Sequence, residues 1–349
     1  MKKIKLGDRH IGEDEPCFII AEAGVNHNGD VRLAKKLIDV SKDAGADAVK
    51  FQAFKTEKVV TKYAGKAKYQ KEITALSESQ YNMIRKLELK DEEFKELFNY
   101  AEKNNIIFLS SAFDKDSVDL LDDLGVPAFK VASGEITDFP LLKYIAEKKK
   151  PIILSTGMST LDEIEDALEV FREKGVEDVV LLHCITSYPA KIEDANLRII
   201  ETLRHRFKLP VGFSDHTLGI TISIAAATLG AVLVEKHFTL DRTLPGPDHK
   251  ASLEPDELKD MIRSIRDIEQ ALGDGIKKPI EDEERIKKIV RRSIVAKVEI
   301  PKGTVITENM LDFKRPGVGI EPKYLNEVIG KKAKKDIKPD ELMTFEKLV

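Results

Sequence analysis

Eight short β-branched runs, each followed by a longer amphipathic one, constrain this chain more than any other feature of its sequence. The runs cover residues 17–23, 48–53, 106–112, 128–133, 151–156, 179–185, 210–215 and 231–237. Such alternation requires a parallel sheet with helical crossovers. Helical periodicity is expected over 32–44, 92–104, 118–124, 161–174 and 220–229, and Gly45, Gly125, Gly175 and Gly230 stand where helices should end. Eight β/α units in roughly the first 270 residues match the ~250 residues of a (β/α)8 barrel, the TIM barrel. No GxGxxG follows any run, which counts against a dinucleotide fold. The long interruption at 56–88 should lie over the barrel mouth.

A helix over 255–272 closes the barrel, so that 1–272 is expected to be the catalytic domain and the charged stretch 273–289 a linker. Residues 290–349 then read as strand and turn, forming a small, mostly β domain of net charge +4 against −8 for the remainder. With 42% apolar residues and a formal charge of −4, the chain has a globular composition and does not suit nucleic acid as its main partner. No run approaches the ~18 apolar residues of a membrane helix. The basic start lacks the apolar core of a signal peptide, so a cytoplasmic location is expected. Cys17 and Cys184 each lie in an apolar run and read as buried free thiols.

In a barrel the chemistry stands at the carboxyl ends of the strands. Those ends carry Glu22, then Lys50 and Gln52, Ser110 and Ser111, Lys130 and Ser133, Ser155, His183 with Thr186 and Tyr188, Ser214 with His216, and Glu235 with His237. Lys50 and Lys130 among hydroxyls would bind a small polyanion such as a phosphate ester with a carboxylate, or would pair with Glu22 and Glu235. A Schiff-base aldolase would also use a strand lysine, and borohydride with pyruvate would trap it. Five histidines, His27, His183, His216, His237 and His249, fall at the mouth. His216 and His237, with Glu235 on the same face, make an open site for a divalent metal, Mn first, with Mg or Co as alternatives. The loop after the last strand exposes Asp248, His249 and Lys250 and could hold sugar hydroxyls.

The segments 20–29, 48–52, 130–134, 155–158, 212–217, 235–239 and 246–252 resemble the sialic acid synthase family, and 291–294, 301–303 and 314–317 resemble its antifreeze-like (SAF, β-clip) domain. The resemblance implies condensation of phosphoenolpyruvate with N-acetylmannosamine and water, giving N-acetylneuraminate and phosphate by C–O cleavage. By similarity Lys50, Ser110 or Ser111, and Ser214 would hold phosphate, and Lys130, Ser133 and Ser155 the carboxylate, with Thr186 at the same subsite. His216 and His237 would bind the metal, and Glu22 and Glu235 would stabilise the cation and handle protons. Gln52, Tyr188 and Asp248 would contact the sugar. Arg315 would reach the N-acetyl group in the neighbouring subunit's site, implying a domain-swapped homodimer. Thr186 and Lys191 stand where relatives often carry asparagine and proline, which leaves legionaminate synthesis from 2,4-diacetamido-2,4,6-trideoxymannose as the alternative.

Overall fold

A computed structural model describes residues 2–66 and 79–349. Clustering of the backbone separates two compact units, Met1–Leu272 and Gly273–Val349. In the first, eight parallel strands close into a barrel: β3 (Phe18–Gly24), β4 (Ala48–Ala53), β5 (Ile107–Ala112), β6 (Phe129–Val131), β7 (Ile152–Ser155), β8 (Val179–Cys184), β9 (Val211–Asp215) and β10 (Leu233–His237), with β10 pairing back onto β3. Seven of the predicted runs contain their strand, and the first, 17–23, gives a strand that reaches Gly24, with ends shifted by up to two residues. The largest loss is in the 128–133 run, where Ser133 already begins a 3-10 turn.

Alternation along the strands sorts the side chains into two tiers inside the barrel. The lower tier is apolar: Phe18, Ile20, Ala48, Leu109, Ala128, Ile153, Val180, Leu182 and Leu233 are all buried there. Two strands that the sequence reading missed, β1 (Ile4–Leu6) and β2 (Arg9–Ile11), form a hairpin whose Ile4, Leu6 and Ile11 join that cluster. One step further along each strand the inward positions become Glu22, Lys50, Ser111, Lys130, Ser155, Ser214 and Glu235, all buried. The charged tier therefore rests on an apolar floor.

Outward positions pack against the helices, among them Phe51, Phe108, Phe129, Leu154, Leu181 and Phe213. Helix α1 (Val31–Ala44) starts on Asp30, whose side chain accepts from the Arg32 N–H, and ends at Gly45 with φ +86°. The left-handed conformation there suits glycine. The outward pair Lys236 and Asp215 is fully buried, 2.9 Å apart, and Asp215 also accepts from Thr217 and Ser223. Asp215→Ala leaves an unpaired buried ammonium, so a loss of about 3–5 kcal/mol in denaturant unfolding is expected. Asp215 precedes His216, so this pair also anchors the start of the loop that carries the imidazole.

The interruption expected over the mouth lies partly outside the described residues. Its described ends form α2 (Thr56–Val59) and α3 (Gln80–Arg85). In the second unit, residues 281–290, most of which belong to the expected linker, form a helix, α11 (Glu281–Val290). Four acids open it, Lys287 and Lys288 close it, and the Glu283 carboxylate accepts from the Ile280 N–H. This charge order complements the helix dipole. Beyond it β11 (Ser293–Ala296) pairs antiparallel with β12 (Leu311–Lys314) over a core that includes Ile294, Ile300, Ile306, Ile337 and Met343. Among the described residues no helix is long and apolar enough to cross a membrane.

Candidate active site

The charged tier opens into a cavity of about 420 Å³ at the carboxyl ends of the strands. Lys50 Nζ lies 2.9 Å from Glu22 Oε2 and 3.7 Å from Glu235 Oε1, and donates to Ser111 Oγ at 3.1 Å. Lys130, opposite β10 around the barrel, donates to Ser155 Oγ at 2.7 Å and stands 4.0 Å from the same Glu235 oxygen. Ser214 Oγ donates to Glu235 Oε1 at 3.2 Å, and Gln52 Nε2 donates to Glu22 Oε1, also at 3.2 Å. The lysines thus pair with the carboxylates, as the second alternative read from the sequence has it, and both face the cavity among hydroxyls.

The two carboxylates differ in basicity. Burial raises Glu22 to about 7 against the pull of Lys50. At Glu235 burial acts in the same sense, but Lys130 and Lys50 outweigh it and hold the group below its ordinary value. One carboxyl therefore holds a proton near neutrality while the other stays ionised. Asp248, buried at the rim, is raised to about 6 by desolvation.

His216 Nδ1 donates to the Ile185 carbonyl at 2.7 Å, which leaves Nε2 as the lone-pair nitrogen. Burial opposes its charge, but the Cys184 sulfur beside Nδ1 outweighs that and raises its pKa. His237 is kept neutral by burial and by the cationic groups around it, and its Nδ1 has no hydrogen-bond partner. The two rings lie 5.5 Å apart, with the Tyr188 ring 4.1 Å from His216 and edge-on to His237. This donor pair fits a divalent cation. Glu235 does not join it as a third ligand, because the lysines and Ser214 draw its carboxylate to their side. Among the described residues no group of three metal-type ligands assembles.

The other three mouth histidines do not border the cavity. His183 points outward and bonds the Ala195 carbonyl, His27 Nδ1 accepts from the Gly29 N–H, and His249 is held between Thr239 and Asn28. Ser110 also points outward, out of phase with Lys50 and Gln52, and its hydroxyl donates to the Ser111 carbonyl. Only Ser111 of the two serines borders the cavity. Ser133, Thr186 and Tyr188 border it too, and Ser133 Oγ accepts from the Gly157 N–H at 3.0 Å. A Cβ on Gly157 would come within 2.2 Å of Thr186 Oγ1, so this wall requires glycine. Arg315 belongs to the second unit and is exposed after β12.

Two ionisable residues of the cavity wall escaped the sequence reading. Cys184 is buried as expected but also faces the cavity, its sulfur 3.7 Å from both Ser133 Oγ and His216 Nδ1. Glu135, in the 3-10 turn after β6, is pushed up to about 7 by burial, with Lys130 opposing. Its Oε2, Glu235 Oε2, Thr186 Oγ1 and His237 Nδ1 are buried without a hydrogen-bond partner. Four such atoms around one cavity mark a place built to receive a polar ligand.

The NeuB family model matches residues 37–277, and that of the SAF domain matches 291–349. The chain is 54% identical to the N,N'-diacetyllegionaminic acid synthase of Campylobacter jejuni, over 93% of this chain and 98% of that one. It is 38% identical to the human N-acetylneuraminate-9-phosphate synthase, over 97% and 94%. A crystal structure of the N-acetylneuraminic acid (sialic acid) synthetase from Leptospira borgpetersenii, in complex with citrate, superposes with a TM-score of 0.72 at 38% identity, covering 82% of this chain and 95% of that one.

Proposed function

The chain belongs to the NeuB family, and from that premise we propose that it condenses phosphoenolpyruvate with an N-acetylated mannosamine-type sugar and water, giving a nonulosonate and phosphate. The observation that carries this reading is the tier of two buried lysines, three hydroxyls and two carboxylates beside an imidazole pair. Lys50, Ser111 and Ser214 would bind the phosphate, and Lys130, Ser133, Ser155 and Thr186 the carboxylate. Charge-assisted hydrogen bonds of this kind are the strong ones. Of the two sugars, 2,4-diacetamido-2,4,6-trideoxymannose is favoured over N-acetylmannosamine by the higher identity to a legionaminic acid synthase, 54% against 38% for the N-acetylneuraminate-9-phosphate synthase.

Carbon C3 of phosphoenolpyruvate attacks the sugar aldehyde, forming the new C–C bond. The aldehyde oxygen takes a proton, for which Glu22, protonated near neutrality and bonded to Gln52, is the donor. Positive charge at C2 faces the ionised Glu235. Water adds at C2 and gives up its proton, with Glu135 as the acceptor on the β6 side of the mouth. The bond from C2 to the phosphate ester oxygen then breaks, the departing phosphate takes the C2 hydroxyl proton, and the ketone remains. His216 and His237 would hold a divalent metal, Mn first, which when bound polarises the aldehyde. Gln52, Tyr188 and Asp248 would position the sugar, and Arg315 would complete the neighbouring subunit's site in a homodimer.

Phosphate release from phosphoenolpyruvate, followed with each sugar after metal stripping and Mn readdition, tests this reading. Release requiring both sugar and metal is expected. Release without sugar, or none with either sugar, contradicts it. Arg315→Ala is expected to raise the Michaelis constant for sugar at least tenfold, and an unchanged constant would assign the second unit to assembly alone.

A further inference from the structure

Beside the mouth cavity lies a hollow of about 140 Å³ that the chemistry above does not use. Val25, Phe54 and Leu87 form its buried apolar wall, with Ile84 and Phe113 packed against them. Met83 of α3 adds to the lining, with Val59 and Pro247 at its edge. Among the described residues only two polar side chains border it, Gln52 and Asp248, and both also border the mouth cavity, as does Phe113. The hollow therefore adjoins the site at the residues assigned to the sugar.

An ordered water needs two to four polar partners, and among the described residues the apolar part of this lining, away from Gln52 and Asp248, supplies none. An enclosed apolar cavity of about 150 Å³ accepts a molecule the size of benzene, so this open hollow has room for an acetamido group. The C4 hydroxyl or C6 hydroxymethyl of N-acetylmannosamine, placed against Phe54 and Leu87, would lose its hydrogen bonds to water and gain none. An acetamido group is matched to the lining at both ends. Its N–H and C=O suit the Asp248 carboxyl and Gln52 amide at the opening, and its methyl suits the apolar interior.

We infer that this hollow receives the C4 acetamido group of a 2,4-diacetamido-2,4,6-trideoxy hexose, so that Met83 and Leu87 determine which sugar the enzyme accepts. The inference rests on reading the mouth as the site where phosphoenolpyruvate and sugar condense. Its test is the ratio of kcat/KM for the diacetamido sugar to that for N-acetylmannosamine, measured on single preparations of the wild type, Met83→Phe and Leu87→Asn. A ratio taken on one sample does not depend on how much of it is folded. The wild type is expected to favour the diacetamido sugar at least tenfold. Filling the hollow in Met83→Phe, or placing an amide in its wall in Leu87→Asn, is expected to lower that ratio at least tenfold. Ratios within twofold of the wild type in both variants, or a wild-type preference for N-acetylmannosamine, would overturn the inference and leave the condensation intact. No phosphate release by the wild type with either sugar would overturn both.

Discussion

Lys50→Met is expected to lower kcat/KM for phosphoenolpyruvate by a factor of about 10³ or more. The ammonium is fully buried and sits within 4 Å of two carboxylates and a serine hydroxyl. Its charge persists despite burial because Glu22 and Glu235 raise its pKa. The substitution removes a desolvated cation where a phosphate must enter, and losing one partner of such a pair costs about 2–5 kcal/mol. It also leaves Glu22 and Glu235 with Lys130 as the remaining lysine of the tier, so the site gains net negative charge against an anionic substrate. Lys50→Arg is not expected to restore activity, since a planar guanidinium does not occupy the space of a compact ammonium between β3, β4 and β5. Phosphate release at varied phosphoenolpyruvate concentration measures the loss, and a change below tenfold would remove Lys50 from substrate binding.

Glu135→Gln is expected to separate activity from stability. As a proton acceptor its removal should slow turnover by about 10²–10⁴. The effect on the fold has the opposite sign. The Glu135 pKa is raised from 4.5 to about 7, so the folded state binds its proton more tightly than the unfolded one. The stability this contributes is fully present below about 4.5 and is lost as pH rises through about 7. At pH 8 the wild type carries a half-buried ionised carboxylate that the glutamine variant lacks. The variant should then be more stable in denaturant unfolding by about 1–3 kcal/mol, with the difference vanishing near pH 4. The acid limb of the wild-type rate profile near pH 7 should flatten as well. A variant that keeps its activity, or that is destabilised at pH 8, would assign Glu135 a purely structural place.

The barrel was legible because its strands are buried on both faces and so read as short apolar runs at regular spacing, down to Ala48–Ala53 with its ends in place. Most of the charged tier was legible for a related reason: a lysine or glutamate inside such a run must sit at the mouth. What escaped had weaker periodicity. β1 and β2 are three residues each, too short for alternation to stand out, and only contact with Phe18 and Ile20 reveals them as the barrel floor. Helix α11 is polar around most of its surface and leaves Ile286 and Ile289 exposed, so it looked like a linker. Ser110 and Ser111 are indistinguishable by composition, and only the phase set by Lys50 and Gln52 on the neighbouring strand separates them. Glu135 lies past the end of its strand, where no period applies. Its one sequence signal was its place directly after Ser133 and Gly134 in a mouth loop.

In the proposed reaction two buried lysines hold phosphoenolpyruvate while its enol carbon attacks a sugar aldehyde and its C–O bond breaks. The most direct measurement supplies phosphoenolpyruvate labelled with 18O at the bridging oxygen, together with 2,4-diacetamido-2,4,6-trideoxymannose and Mn, and weighs both products by mass spectrometry. The expected result is a nonulosonate free of label and inorganic phosphate carrying it. Label retained in the organic product, or phosphate released with no new sugar acid, would contradict the account.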